Sequence, residues 1–222
     1  ARAAAERQGA AAEGLGEFML EALRDRLKGV GRLDVLTAVN QRALRYYGDE
    51  DLSRLPPRSL GRRARILHAM GEDYEAQWNH DAALAKFREA RRTTAALLAE
   101  APNDPDRIYD HAQREYWIGS VDYQRGRAKA ALPAFRAYKE LADRLVSLAP
   151  DSPRFRKEAA YAEGNLCSVA MERPRDAREA LRACSAALAE MEHAVEDLPA
   201  SRENDLALAN RHALLANAYE FN

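Results

Sequence analysis

The run IGSVDYQRGRAKAALPAF, from Ile118 to Phe135, decides the fold class. Ile118-Gly119 at its start, Gly126 in its middle and Ala131 with Phe135 at its end read as two helices meeting across a short break. Forty-eight residues upstream the same marks recur as Met70-Gly71, Ala83 and Phe87, with Trp78-Asn79-His80-Asp81 as the break. Leu166-Cys167 stands 48 residues downstream, and Pro102 and Pro150 close two units at the same spacing. The third unit continues one residue late with Ala180, Cys184 and Pro199, which places a single insertion in the turn around Glu172-Arg173-Pro174-Arg175. Leu215-Ala216 and Tyr219 open a fourth unit. Going the other way, Gly31, Leu36 and Ala43 line up roughly with Gly126, Ala131 and Tyr138.

Within a unit, apolar residues return at three and four, as in Leu132, Phe135, Leu141, Leu145 and Leu148, the spacing of one buried helix face. Asp104-Pro105 and Ser152-Pro153 each pair a capping side chain with proline at the first helical position, where a missing N–H costs nothing. The expected helices are 3–29, 31–48, 58–77, 80–101, 104–125, 128–149, 152–172, 175–198 and 201 onward. The composition agrees, because Val, Ile and Thr number 13 against 46 Ala, too few β-branched residues for an ordinary sheet.

These marks resemble the tetratricopeptide repeat family: an apolar-Gly pair, a helix break, Ala, Phe four residues on, then a closing Pro, at a family period of about 34. The spacing from Gly71 to Ala83, and from Gly119 to Ala131, leaves the hairpin core unchanged. The extra length falls in the helices, each longer by about seven residues, nearly two turns, so the packing face does not rotate. The resemblance implies an all-α, right-handed superhelical solenoid of antiparallel helix hairpins spanning 1–222 as one domain. Its parts are a degenerate hairpin at 1–50, full repeats at 58–102, 104–150 and 152–199, and a truncated fourth at 201–222. More loosely, residues 17–27, Gly31 to Leu36 and Tyr46-Tyr47 are similar to the leading segment of long bacterial tetratricopeptide regions that follow a signalling domain. Such a domain is of Toll/interleukin-receptor-like or Ser/Thr kinase type.

The function classes narrow by exclusion. With 34 basic and 35 acidic side chains the net charge is -1, which argues against a blanket nucleic-acid binder. No run approaches the roughly 20 apolar residues of a membrane span, and no leader-like segment opens the chain. The start at Ala1 and the stop at Asn222 inside a helical pattern suggest a piece of something longer. Its place is left open between cytoplasmic and, if a membrane helix precedes it in the parent, periplasmic. Arg outnumbers Lys 29 to 5, which with the Ala content suggests a GC-rich bacterial genome. The histidines at 68, 80, 111, 193 and 212 form no His-Glu-x-x-His pair, there is no Cys-x-x-Cys, and no strand precedes Gly14 and Gly16. Neither a metal, a cofactor nor a catalytic role is expected. Cys167 takes a small-residue position and Cys184 an aromatic one on facing helices. Two unbridged core thiols are the favoured reading, with a disulfide open if the Cα atoms lie within about 7 Å.

In the family the first helix of each unit lines the concave face. Carrying those positions over gives Arg65, His68, Glu72 and Glu75; then Gln113, Tyr116, Ser120 and Tyr123; then Tyr161, Gly164, Ser168 and Met171, with Asn165 beside the space Gly164 leaves. Tyrosine and asparagine in such a row supply apolar area and directed hydrogen bonds to a protein or peptide segment, the expected partner. The family's carboxylate-gripping Lys, Asn and Arg are replaced by His68, Glu72, Trp117, Tyr161 and Asn165, which argues against a chaperone-tail receptor. The alternative is a scaffold, a homo-oligomer formed through the solenoid end at Leu206, Leu208, Leu214 and Leu215.

Overall fold

The computed structural model describes residues 33–46, 55–172, 176–196 and 198–221. Every element among them is helical: α1 (Leu33–Tyr46), α2 (Pro57–Ala76), α3 (His80–Glu100), α4 (Pro105–Gln124), α5 (Ala128–Leu148), α6 (Pro153–Met171), α7 (Ala177–Val195) and α8 (Arg202–Phe221). The chain is an all-α helical repeat of antiparallel hairpins. The expected helix 3–29, most of the hairpin at 1–50 and the turn at 173–175 lie outside the described residues. Two compact units divide inside α3, between Thr93 and Thr94.

In the first unit, α1 runs against α2. Asn40 Nδ2 donates to the buried Asp73 carboxylate at 2.9 Å, and Gln77 reaches Thr37 at 3.3 Å. The α2/α3 hairpin closes on Gly71, where any Cβ would stand 2.5 Å from the Phe87 ring, so only bare backbone fits beneath it. Arg63 pairs with Glu89 across the same hairpin, and Leu67 and Ala90 fill its core with Ala64.

The second unit repeats the device. Asp104 caps α4 by accepting the backbone N–H groups of Asp106 and Arg107 at 3.0 and 3.4 Å, while Ser152 caps α6 by accepting that of Phe155 at 3.4 Å. Proline follows each cap at the first helical position. Gly119 lies under Phe135, with a Cβ there 2.6 Å from the ring. Ile108, Ala112, Tyr138, Leu141, Leu145 and Ala159 join α4, α5 and α6 in one core. The next core, between α6, α7 and α8, is nearly all alanine: Ala170, Ala180, Ala183 and Ala218 around Cys167 and Cys184. Those cysteines form a disulfide with Cα atoms 5.2 Å apart. This corrects the favoured reading of two free thiols; the thiol of Cys184 stands where the other hairpins carry a phenylalanine ring over the small residue of the facing helix. Leu148, placed on the buried face by its spacing, is 45% exposed at the last turn of α5.

The two helix breaks share one geometry. Trp78 N–H donates to Glu75 and Asn79 N–H to Tyr74, both at 2.8 Å; Gly126 N–H donates to Tyr123 at 2.8 Å and Arg127 N–H to Asp122 at 3.0 Å. Each is a Schellman turn whose pivotal residue has left-handed backbone, φ +60° at Trp78 and +68° at Gly126. Glycine adopts that conformation freely, whereas for an L side chain it costs roughly 1–2 kcal/mol.

Candidate functional site

In the second unit, α4 and α6 lie side by side with α8 beyond them. Gln113 Nε2 donates to Glu158 at 2.7 Å, and Tyr123 reaches Glu172 at 3.4 Å, both from α4 to α6 or its end. Lys157 donates to Asn204 at 2.7 Å from α6 to α8. The positions named from sequence on this face are half-buried: Gln113, Tyr116, Ser120, Tyr123, Tyr161, Asn165 and Ser168. Much of their polar capacity is spent within the fold. Ser168 back-bonds to the Gly164 carbonyl at 3.0 Å, and Ser120 accepts from Gln124 at 3.4 Å.

The tyrosines are fixed by packing. Tyr116 lies 5.5 Å from both Tyr138 and Trp117, and Tyr123 lies 6.4 Å from Phe135. Burial raises the Tyr123 and Tyr161 pKa above the ordinary phenol value. Beneath them, Glu158 accepts from Tyr138 at 2.5 Å as well as from Gln113. Burial holds the Glu158 carboxyl above the usual glutamate range, with those two hydrogen bonds and Arg154 pulling the other way. Arg154 itself stacks 3.9 Å over the Tyr109 ring.

Arg211 is the residue the sequence reasoning missed. From α8 it reaches back to α6, where its guanidinium lies 5.4 Å over the Tyr161 ring and donates to the Ala160 carbonyl at 3.3 Å. A Cβ at Gly164 would collide with this guanidinium, so the space beside Asn165 is filled rather than open. Arg211 makes no ion pair among the described residues, and its buried Nε has no hydrogen-bond partner. The Asn165 side-chain nitrogen is likewise buried and unpartnered. Desolvation lowers the Arg211 pKa, the Tyr161 hydroxyl opposing it, yet a guanidinium stays charged at neutral pH. The signal for it was Gly164, a mid-helix glycine without an aromatic sixteen residues on, which needed some other filler.

In the first unit, Arg65 is exposed, Glu75 is half-buried, and His68 pairs with Glu72 at 3.8 Å while its ring lies 5.4 Å from Phe87. A cleft of about 490 Å³ there is floored by Leu44, Met70 and Tyr74 and edged by Arg63 and Lys86, both of which pair with Glu89. At α8, Leu214 and Leu215 are half-buried. They pack on the disulfide core, with the Leu214 carbonyl 3.3 Å from Cys184 Sγ, and Leu208 packs beside Ala207 and Met191. Among the described residues, the exposed large apolar side chains of α8 are Leu206 and Tyr219, at 60% and 64%. Among the described residues no acidic, histidine or cysteine cluster suits a metal ion, and no helix is long and apolar enough to cross a membrane.

No protein-family model matches the chain, and no curated protein matches it. Among solved structures, BtubC (BKLC) from P. vanneervenii aligns with a TM-score of 0.73 at 17% identity, over 99% of this chain and 78% of that one. At that identity the likeness is one of fold. TTC0263, a thermophilic TPR protein of Thermus thermophilus, aligns over 89% of this chain and 99% of its own at 13% identity and a TM-score of 0.37. The de novo designed helical repeat protein DHR64 aligns over 89% and 98% at 17% identity, also with a TM-score of 0.37. These last two overlays are too loose to define a shared architecture.

Proposed function

We propose that the chain is a non-catalytic protein-interaction module of tetratricopeptide type, holding a segment of a partner protein along the face shared by α4, α6 and α8. Arg211 carries this reading. A half-buried guanidinium with no carboxylate partner among the described residues is a positive charge that an acceptor-rich segment would neutralise. Tyr116, Tyr123 and Tyr161 supply apolar area at small entropic cost because packing already restrains them. Similarity of residues 17–27, Gly31 to Leu36 and Tyr46-Tyr47 to segments that follow signalling domains favours a role within a larger bacterial signalling protein. The Cys167–Cys184 bridge favours an oxidising compartment, hence the periplasmic alternative.

Peptides selected from a random library on the whole chain should be enriched in Asp and Glu. They should bind the Arg211→Gln variant roughly ten-fold more weakly, about 1.4 kcal/mol. Selected peptides without acidic bias, or with unchanged affinity for the variant, would remove this face from consideration. A second reading, a scaffold that self-associates, draws on exposed Leu206 and Tyr219. Molar mass by light scattering separates the two, since only the scaffold gains mass with concentration.

A further inference from the structure

The first unit carries an exposed tryptophan in a conformation that disfavours it. Trp78 is 79% exposed and sits with φ +60° at the pivot of its turn, where the second unit has Gly126 in the same hydrogen-bonded geometry. The side chain therefore gains little from burial and strains the backbone. Its ring meets that of His80 edge-on, at 5.9 Å between centroids. Residues 72–85 around the turn contain four carboxylates, Glu72, Asp73, Glu75 and Asp81, and no Lys or Arg. Of these, Asp73 is buried against Asn40 and Glu72 lies 3.8 Å from the His68 ring nitrogen, while Asp81 is exposed and Glu75 partly so.

From this we infer that the α2/α3 turn is a second docking point, at which the Trp78 indole stacks on a lysine or arginine of a basic segment of a partner protein. An indole is the strongest cation–π acceptor among side chains, and Glu75 and Asp81, the more accessible carboxylates beside it in sequence, favour a basic partner. The site uses residues of the first unit that the Arg211 site does not include, so neither reading depends on the other. Strain at the turn is the counterpart of what binding gains, a pattern common at recognition sites.

The experiment uses the full chain carrying Trp117→Phe, so that Trp78 is its one tryptophan, and follows indole emission. Octamers of arginine, lysine and glutamate, and vesicles of anionic and of zwitterionic lipid, are titrated separately. The two basic peptides should change the emission saturably and less so at high salt, with no response to polyglutamate or to vesicles. In Trp78→Gly, basic-peptide affinity measured by calorimetry should fall roughly three- to five-fold. The same variant should melt higher by roughly 2–4 °C, since glycine relieves the turn. Unchanged affinity in Trp78→Gly, a saturable response to vesicles, or a lower melting temperature would overturn the inference, the last because it would mean that Trp78 supports the fold.

Discussion

Where α4 crosses α5, Gly119 lets the Phe135 ring rest on bare backbone; where α6 crosses α7, Cys167 and Cys184 hold the corresponding places and are joined by a bond. The neighbours differ in the same sense. Around Phe135 stand Val169, Leu132, Tyr116 and Tyr123, whereas the fully buried neighbours of the bridge are alanines, with leucines and Met171 packed at their edge. The first hairpin is held by apolar area, roughly 1.5–3 kcal/mol for one fully buried ring of this kind. The second has no aromatic ring at its crossing, and its cross-link acts on the unfolded chain, by closing a loop of 17 residues. A small residue on the first helix sets the spacing in both; what fills the gap is interchangeable.

The comparison breaks most sharply on paired substitutions. Phe135→Ala should lower unfolding free energy by about 3–5 kcal/mol, through lost transfer energy and a cavity that rigid helices cannot close. Cys184→Ala should cost about 3 kcal/mol, the value for a loop of this size. In denaturant titrations with and without reductant, the Phe135→Ala loss should appear in both, while Cys184→Ala should lose its deficit relative to reduced wild type. If reductant leaves wild type unchanged, the alanine core suffices and the contrast between the hairpins is false.

A smaller effect tests what couples the two hairpins. Glu158 on α6 accepts from Gln113 on α4 and Tyr138 on α5, and its folded pKa lies above the ordinary 4.5. Over that interval the native state binds more protons than the unfolded one, so this group's contribution to stability is whole below about pH 4.5 and declines as pH rises through the folded pKa. Glu158→Gln cannot titrate and should flatten the pH dependence of stability above 4.5, at a cost near neutral pH of about 1 kcal/mol or less. Equal slopes in the two proteins would show that the carboxylate is solvated well enough not to couple the helices.

The helical repeat was legible because its signals are local. Asp104-Pro105 and Ser152-Pro153 start α4 and α6, Gly126 ends α4's run, and the alternation of small and aromatic residues at Gly71, Phe87, Gly119 and Phe135 marks the crossings. What stayed hidden depends on distant partners. Arg211 fills the gap over Gly164 from 47 positions away, and no periodic pattern announces that. That Leu214 and Leu215 pack on the disulfide core likewise depends on residues about thirty to fifty positions away. On the candidate face, sequence supplies the residue types at Gln113, Tyr123 and Ser168 but not the hydrogen bonds that consume their polar atoms. Trp78 was legible as a break; that it occupies a glycine's conformation with its ring in solvent is a matter of backbone geometry.

The smallest expected difference lies at the two caps, and it separates charge from hydrogen bonding. Asp104 accepts two backbone N–H groups and Ser152 accepts one, the latter at 3.4 Å. Asp104 also brings a negative charge to a helix N-terminus, where the macrodipole favours it. Asp104→Ala should therefore cost about 1 kcal/mol and Ser152→Ala about half that, or roughly 2–4 °C and 1–2 °C of melting temperature in a chain of this length. Calorimetric scans at low salt and at about 1 M should show the gap between the variants narrowing, because screening removes the dipole contribution and leaves the hydrogen bonds. A gap that salt does not change would assign the whole difference to the second hydrogen bond, and the two hairpins would then start by the same chemistry in different amounts.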